Sequence, residues 1–197
     1  MKNFYELKFY PNPLNESFVL PSRSESIIGQ NDDADWYGGI YQGEELHSIL
    51  NTKILEWCHR KLPVQSVWVF INDTDNESQY IHIDGLDPKG TYFAINWCLQ
   101  GTNSEMAWYN IKPQYSFDEA VVNPVVSKTK YSIGFDKNKL NLVEKCRISG
   151  PTLVNTAVPH GILRHEPGPR IAVSLRFTHS FSSWNEVVQF FSPFIKK

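Results

Sequence analysis

The chain has few cysteines and no long apolar run. It contains three cysteines in 197 residues, and the positions Cys58, Cys98 and Cys146 form no Cys-x-x-Cys pair. An odd number of widely spaced cysteines favours neither a disulfide framework nor a thiolate zinc site, so we expect a reducing compartment. The longest apolar run is VWVFI at 67–71, which is far too short to cross a bilayer.

A strong net charge and an export signal are also lacking. The formal net charge is −2 at pH 7, so electrostatics gives no reason to expect nucleic acid or an anionic membrane as a partner. The N-terminal segment MKNFYELKFYPNP has no apolar core of the kind that a signal peptide needs, and we expect a cytoplasmic protein. Hydrophobic residues make up 41% and charged residues 20%, a globular composition for which we expect one domain over 1–197.

Strand-like segments dominate the sequence. They are short, rich in aromatic and β-branched residues, and separated by glycine, proline and asparagine. They span 4–10, 66–72, 79–84, 91–100, 105–112, 139–149, 152–158 and 169–177. This succession favours an antiparallel sandwich or jelly roll, and we expect a mainly β, cupin-like double-stranded β-helix over about 64–178.

Two helices are predicted to flank this core. Residues 44–61 carry apolar side chains at helical spacing, open with glutamates and close with basic residues, which indicates a scaffold helix at the end of an N-terminal extension over 1–63. Ser183 precedes Glu186 by three residues, a capping-box spacing that predicts a short helix at about 182–195. Between strands, 112–138 is a long turn-rich segment that we expect to act as a lid.

The segment QYIHIDGLD at 79–87 places His82 and Asp84 two residues apart in a predicted strand. Residues i and i+2 of a strand point to the same face, so both side chains would reach toward one point. A single His-x-Asp pair is a short motif that chance produces often. A purely structural role stays open at this stage, in which His82 is an interior histidine and Asp84 caps a turn.

A second segment, VNTAVPHGILRHEPGPRIAVSLRF, adds His160, then Arg170 ten residues later and Arg176 six residues beyond it. Among the histidines that follow Asp84, only His160 has a basic residue at plus ten. Two imidazoles and one carboxylate can bind one face of a divalent ion and leave three positions open, as non-haem Fe(II) oxygenases require. His82, Asp84 and His160 could together supply such a set, and the family that these motifs resemble implies that they are catalytic metal ligands.

These motifs resemble the Fe(II)- and 2-oxoglutarate-dependent oxygenase superfamily, over roughly residues 64–178. The resemblance implies Fe(II) bound by His82, Asp84 and His160, with 2-oxoglutarate and O2 as cosubstrates. It also implies hydroxylation of a substrate, with release of succinate and CO2. Arg170 would bind the distal carboxylate of 2-oxoglutarate through its two-pronged guanidinium group.

Further cosubstrate contacts are predicted on the inner faces of two strands. Ser174 and Arg176 share one face with Arg170, and Asn96 could hydrogen-bond the cosubstrate, although a structural role for Asn96 is an alternative. Two arginines six residues apart resemble the nucleic-acid-demethylating branch, where the second supports the cosubstrate or the aspartate ligand. Strand alternation adds Tyr80, Tyr92 and Cys98 as further pocket candidates. Trp108 and Tyr109 are two more, and core packing is favoured for at least one of them.

The substrate is less defined than the cosubstrate. The Asn-x-Tyr pair of the demethylating branch is missing, since Asn72 begins the sequence Asn-Asp-Thr, so nucleic acid is disfavoured. Similarity to small bacterial and phage members of the superfamily favours a prolyl, aspartyl or asparaginyl side chain, or a small metabolite. Two other classes stay open: a metal-binding cupin that does not use 2-oxoglutarate, and a non-catalytic jelly-roll binding or structural module. The first predicts no role for Arg170, and the second predicts no metal affinity.

Overall fold

Two antiparallel sheets of six strands each make up most of the fold. The computed structural model describes residues 2–9, 12–26, 36–73, 80–85, 92–122, 132–165, 168–178 and 181–197. Strands are numbered in chain order. Sheet 1 has the order β1 (Phe4–Glu6), β10 (Thr152–Asn155), β5 (Phe93–Gln100), β12 (Arg170–Phe177), β3 (Val64–Asn72) and β2 (Tyr37–Gln42). Sheet 2 has the order β7 (Val121–Val122), β8 (Ser132–Phe135), β4 (His82–Asp84), β11 (His160–Leu163), β6 (Glu105–Ile111) and β9 (Leu140–Arg147).

The largest apolar core lies between the outer face of sheet 1 and three helices, α1 (Leu46–Ile49), α2 (Thr52–Lys61) and α4 (Trp184–Phe191). Alternate strand residues supply the sheet side of this core, and the helices supply the other side. Its members include Val67, Val69, Ile71, Ile95, Trp97, Val173, Leu175, Ile54, Val187 and Phe191. Because these residues fill one face of sheet 1, its other face is left for the site. Among the described residues, no helix is both long and apolar enough to span a membrane.

The prediction of one continuous helix over 44–61 is wrong. The chain forms a 3-10 turn at 43–45 and then α1 and α2, with a break at Leu50 and Asn51. Leu50 is extended and forms a β-bridge with Leu14, while the Asn51 amide donates to the carbonyl of Pro13. The N-terminal segment therefore binds backbone groups at the break. The Asn51 side chain caps α2 by accepting a hydrogen bond from the amide of Lys53.

The predicted C-terminal helix is confirmed as α4, which a 3-10 turn at 192–194 follows. The Ser183 side chain accepts a hydrogen bond from the amide of Glu186 at 3.3 Å, as the capping spacing predicts. The Glu186 carboxylate turns instead to Ser182, whose amide and hydroxyl both donate to it. The cap at this helix end is thus shared by two serines.

The inner faces of the two sheets enclose a smaller apolar cluster with polar groups around it. Sheet 1 supplies Ala94, Cys98 and Val154, and sheet 2 supplies Met106 and Trp108. All three cysteines of the chain are buried and free.

The predicted lid is only partly described. Its flanks form α3 (Phe117–Ala120), β7 and β8, which belong to the edge of sheet 2, while 123–131 lies outside the described residues. A lid role for this segment stays a prediction.

Candidate metal centre

Two neighbouring strands bring His82, Asp84 and His160 together. Strands β4 and β11 are antiparallel, and His82 and His160 are direct partners in their register. The two imidazole rings lie 4.5 Å apart between centroids. One ligand atom from each of the three residues lies within 4.8 Å of the others, as a site for a single metal ion requires. The described residues contain no other group of this kind.

Backbone carbonyls orient both imidazoles. The Nδ1 atom of His160 lies 2.9 Å from the carbonyl oxygen of Val158, and the Nδ1 atom of His82 lies 3.4 Å from that of Tyr80. A carbonyl can only accept, so these contacts assign the proton to Nδ1 and leave the Nε2 lone pair free to bind a metal. The Nε2 atom of His82 is 3.6 Å from Oδ1 of Asp84, which completes a set of two nitrogens and one oxygen.

Arg176 crosses from sheet 1 to sheet 2 and holds the carboxylate. Its Nη1 donates a hydrogen bond to Oδ2 of Asp84. Thr156 holds the backbone of the same residue, because its carbonyl accepts a hydrogen bond from the amide of Asp84 at 2.9 Å. With Oδ2 occupied by the guanidinium, Oδ1 is the oxygen that faces the histidines.

The protonation states of the site suit a cation. Burial, and to a lesser extent the neighbouring His82, lowers the pKa of His160 to about 3, against the attraction of Asp84. Burial likewise lowers the pKa of His82. Burial opposes ionisation of Asp84, but Arg176 and the two histidines outweigh it and lower the pKa of the carboxyl to about 2. At pH 7 the imidazoles are therefore neutral and the carboxylate is ionised, the forms that bind metal.

Arg170 lies on the inner face of sheet 1, where a serine from the β5–β6 turn orients it. Its Nε donates to Oγ of Ser104 at 2.8 Å, and that hydroxyl donates in turn to the carbonyl of Gly101 at 2.8 Å. Burial lowers the pKa of Arg170, the thiol of Cys98 opposes this, and the charge of Arg164 adds to it. Among the described residues, no acidic side chain pairs with Arg170, so its charge is not balanced by a carboxylate.

Three more predicted residues present polar atoms to the inter-sheet space. Ser174 lies between Trp68 and Asn96 in the register of sheet 1. Oδ1 of Asn96, Oγ of Ser174 and Nε of Arg176 are buried and have no hydrogen-bond partner among the described residues. Buried polar atoms without partners are uncommon, and a cluster of them beside a candidate metal site is typical of a ligand-binding surface.

The remaining pocket candidates divide into two groups. Trp108 is fully buried and donates from Nε1 to the carbonyl of Asn155, and Tyr109 is buried in the core on the outer face of sheet 2. Both side chains therefore belong to the apolar core. Tyr80 stacks on His82 with centroids 4.9 Å apart, and Tyr92 packs against Gly85, directly after Asp84.

Two supporting residues had no signal in the sequence. Ser104 and Thr156 reach Arg170 and Asp84 through turns whose position depends on how the sheets pack. Neither protein-family models nor curated proteins give a match to the chain. The chemistry of the centre therefore rests on its geometry.

Proposed function

We propose that this protein is an Fe(II)- and 2-oxoglutarate-dependent dioxygenase that hydroxylates an amino-acid side chain or a small metabolite. The observation that carries the proposal is the convergence of His82, Asp84 and His160 on one point. Arg170, on the facing sheet, supplies a half-buried cation without an acidic partner among the described residues.

The donor set fits Fe(II). Two Nε2 atoms and one Oδ1 atom form a three-ligand group of the kind that non-haem Fe(II) enzymes use, with open positions for further ligands. A thiolate would favour zinc or an iron–sulfur cluster, and no cysteine belongs to this group. When bound, Fe(II) would supply the activation of O2 that couples oxidative decarboxylation of 2-oxoglutarate, to succinate and CO2, with substrate hydroxylation.

The residues of sheet 1 fit a dicarboxylate. Arg170 would bind the distal carboxylate through its guanidinium fork, which Ser104 holds in place by the Nε atom. Ser174 and Asn96 lie between Arg170 and the metal ligands along the inner face, where their unpartnered oxygens would hydrogen-bond the cosubstrate or an ordered water. Arg176 keeps Asp84 ionised and fixes which oxygen faces the ion.

The double-stranded β-helix belongs to the same proposal. Its support is the alternation of strands between sheets: β3, β5, β10 and β12 lie in sheet 1, and β4, β6, β9 and β11 lie in sheet 2. Such alternation is typical of an eight-stranded jelly roll. The ligands then occupy the inner side of one sheet and the cosubstrate contacts the inner side of the other, which keeps bulk water from most of the site.

The test is anaerobic titration of the Fe(II)-loaded protein with 2-oxoglutarate, followed by the visible metal-to-ligand charge-transfer band. We expect the band in the unmodified protein, no band in His160→Ala, and a band that needs at least tenfold more 2-oxoglutarate in Arg170→Ala. Arg60→Ala is the matched control, because Arg60 lies exposed on α2 and pairs with Glu56.

The other outcomes separate the alternatives. Iron binding without the band would favour a metal cupin that does not use 2-oxoglutarate. A band that titrates equally in Arg170→Ala would remove the role given to Arg170 and keep 2-oxoglutarate as a ligand of the iron. Absence of iron binding would favour a non-catalytic binding or structural module and would end the oxygenase proposal.

A further inference from the structure

An aromatic surface leads away from the candidate metal centre along the inner face of sheet 1. Trp68 and Phe70 lie two apart on β3, so their side chains share this face, and their ring centroids are 5.8 Å apart. Trp36 meets Phe70 edge-on, with centroids also 5.8 Å apart. We call these three residues the aromatic wall. All three are half-buried rather than enclosed, so part of each ring is open to solvent.

The aromatic wall is continuous with the metal ligands. Arg176, which hydrogen-bonds to Asp84, has its guanidinium carbon 5.6 Å from the ring centroid of Trp68. Strand β2 lies next to β3 on the side away from β12, and there Ile40 pairs with Trp68 and Gly38 pairs with Phe70. Gly38 has no side chain, so nothing on β2 covers the ring of Phe70 at that position.

Two of the three ligand side chains of the candidate metal centre are partly exposed. The side chains of His82 and Asp84 are 26% and 19% exposed, whereas His160 is 4% exposed. Tyr80 stacks on His82 and lies against Gly134 of β8. Trp68 lies beside the Arg176 guanidinium that binds Asp84. Aromatic rings therefore lie near both exposed ligands.

The chemistry of the wall selects an uncharged group. Its nearest cation, Arg176, already pairs with Asp84, and the indole N–H of Trp68 already donates to Oγ of Ser66 at 2.9 Å. A carboxylate on the wall would therefore find neither an unpaired cation nor a spare indole donor there. Flat apolar rings, in contrast, pack well against aromatic faces and edges.

We propose that the aromatic wall binds the substrate of this centre, and that the group it holds beside the metal is an uncharged apolar ring, such as a prolyl ring. This inference rests on the proposed function for its link to hydroxylation. It selects ring-bearing side chains over aspartyl side chains among the substrate classes that the metal centre allows. Aromatic-lined grooves bind proline-containing segments elsewhere on the same physical basis.

The test measures probe binding by saturation-transfer NMR on the full-length protein, with and without Zn(II) and 2-oxoglutarate. The ring probe is N-acetyl-prolinamide, and the charged probe is the α-amide of N-acetyl-aspartate. We expect the ring probe to bind at least fivefold more tightly than the charged probe. Trp68→Ala and Phe70→Ala should weaken ring binding at least fivefold, and Trp68→Phe should retain it.

Two further variants keep the test decisive. Trp184→Ala is the matched control. Trp184 is also a half-buried indole, but it lies at the start of α4 and packs on Tyr5 of β1. Trp36→Ala replaces the strand variants if they fail to fold, since Trp36 precedes β2 and forms the edge of the wall beside Phe70.

The proposal is overturned if the charged probe binds as tightly as the ring probe, or if the wall variants leave ring binding unchanged. The test stands apart from that of the proposed function. Ring binding to the wall without any charge-transfer band would refute the oxygenase and retain the wall as a binding surface. The band without ring selectivity would do the reverse.

Discussion

Arg176 is the residue on which the carboxylate ligand depends most. In Arg176→Gln the Asp84 carboxylate loses its cation, so its pKa rises and its rotamer is no longer fixed. We expect Mn(II) affinity to fall by about 10- to 100-fold, the usual effect of removing a residue that orients a metal ligand. Competition titration measures this change. Arg60→Gln is the control, and equal affinities in both variants would contradict the role given to Arg176.

Burial of His160 makes the metal-free protein sensitive to acid. The pKa of His160 is about 3 in the folded state, against about 6.5 for an unfolded histidine, so between these pH values only the unfolded chain binds the proton. Stability is therefore full above about pH 6.5 and falls as the pH drops toward 3. The lowered pKa of Asp84 acts in the same direction but only below about pH 4.

Urea unfolding at pH 7.5 and pH 5.5 measures this effect. We expect His160 to account for on the order of 1 kcal/mol of the stability lost between the two, so the loss should be smaller by that amount in His160→Gln. His59→Gln, at an exposed position on α2, should lose as much stability as the unmodified protein. An equal loss in His160→Gln would mean that its imidazole is not neutral in the folded state.

Part of the candidate site was predictable from the sequence. His82 and Asp84 lie two apart in a strand, and His160 stands ten residues before Arg170, as in the family that the motifs resemble. The same resemblance gave the aspartate as one of two expected partners of Arg176, whereas the contact between Ser104 and Arg170 had no signal in the sequence. Each contact depends on which strand of one sheet faces which strand or turn of the other, and a single sequence carries no direct signal of that packing.

At the scale of elements, β4 is the weakest part of the site. It has three residues, and His82–His160 is its one register pair with β11. Gly161 allows the two strands to approach, because a Cβ at this position would lie 3.0 Å from the carbonyl oxygen of Tyr80. That same carbonyl orients His82.

Gly161→Ala should therefore separate β4 from β11 and disturb the ligands. We expect a loss of stability of about 1–3 kcal/mol and a fall of at least tenfold in Mn(II) affinity, measured by urea unfolding and competition titration. Asn51→Ala removes the cap of α2 and should lose about 1 kcal/mol with unchanged metal affinity. A parallel loss of affinity in both variants would mean that general destabilisation, not strand spacing, controls the site.

Element prediction succeeded where the pattern was unbroken and failed where distant contacts decide. Strands β3, β5, β6, β9, β10 and β12 lie within, or within two residues of, the predicted segments. Strand β2 lies outside the predicted strand segments, since Gly38 and Gly39 interrupt its apolar pattern, yet pairing with β3 makes it a strand. The break between α1 and α2 is likewise set by a bridge to Leu14, far along the chain.

At the scale of the molecule, the centre joins the two sheets. The ligands come from sheet 2, while Arg176, Arg170 and Ser174 come from sheet 1. The contact between Arg176 and Asp84 links a candidate metal ligand directly to sheet 1. A bound cation would hold both ends of this contact in place, so metal binding should stabilise the whole fold and not one strand alone.

This coupling gives a prediction for global stability. Mn(II) at 100 times its dissociation constant should stabilise the protein by about 2.7 kcal/mol, which for a chain of this length raises the melting temperature by about 5–10 °C. Differential scanning calorimetry at several Mn(II) concentrations measures the shift. His160→Ala should show almost none, because two ligands bind the ion too weakly at the same concentration. An equal shift in His160→Ala would place the stabilising cation elsewhere, and the convergence of the three ligands would then be a feature of packing alone.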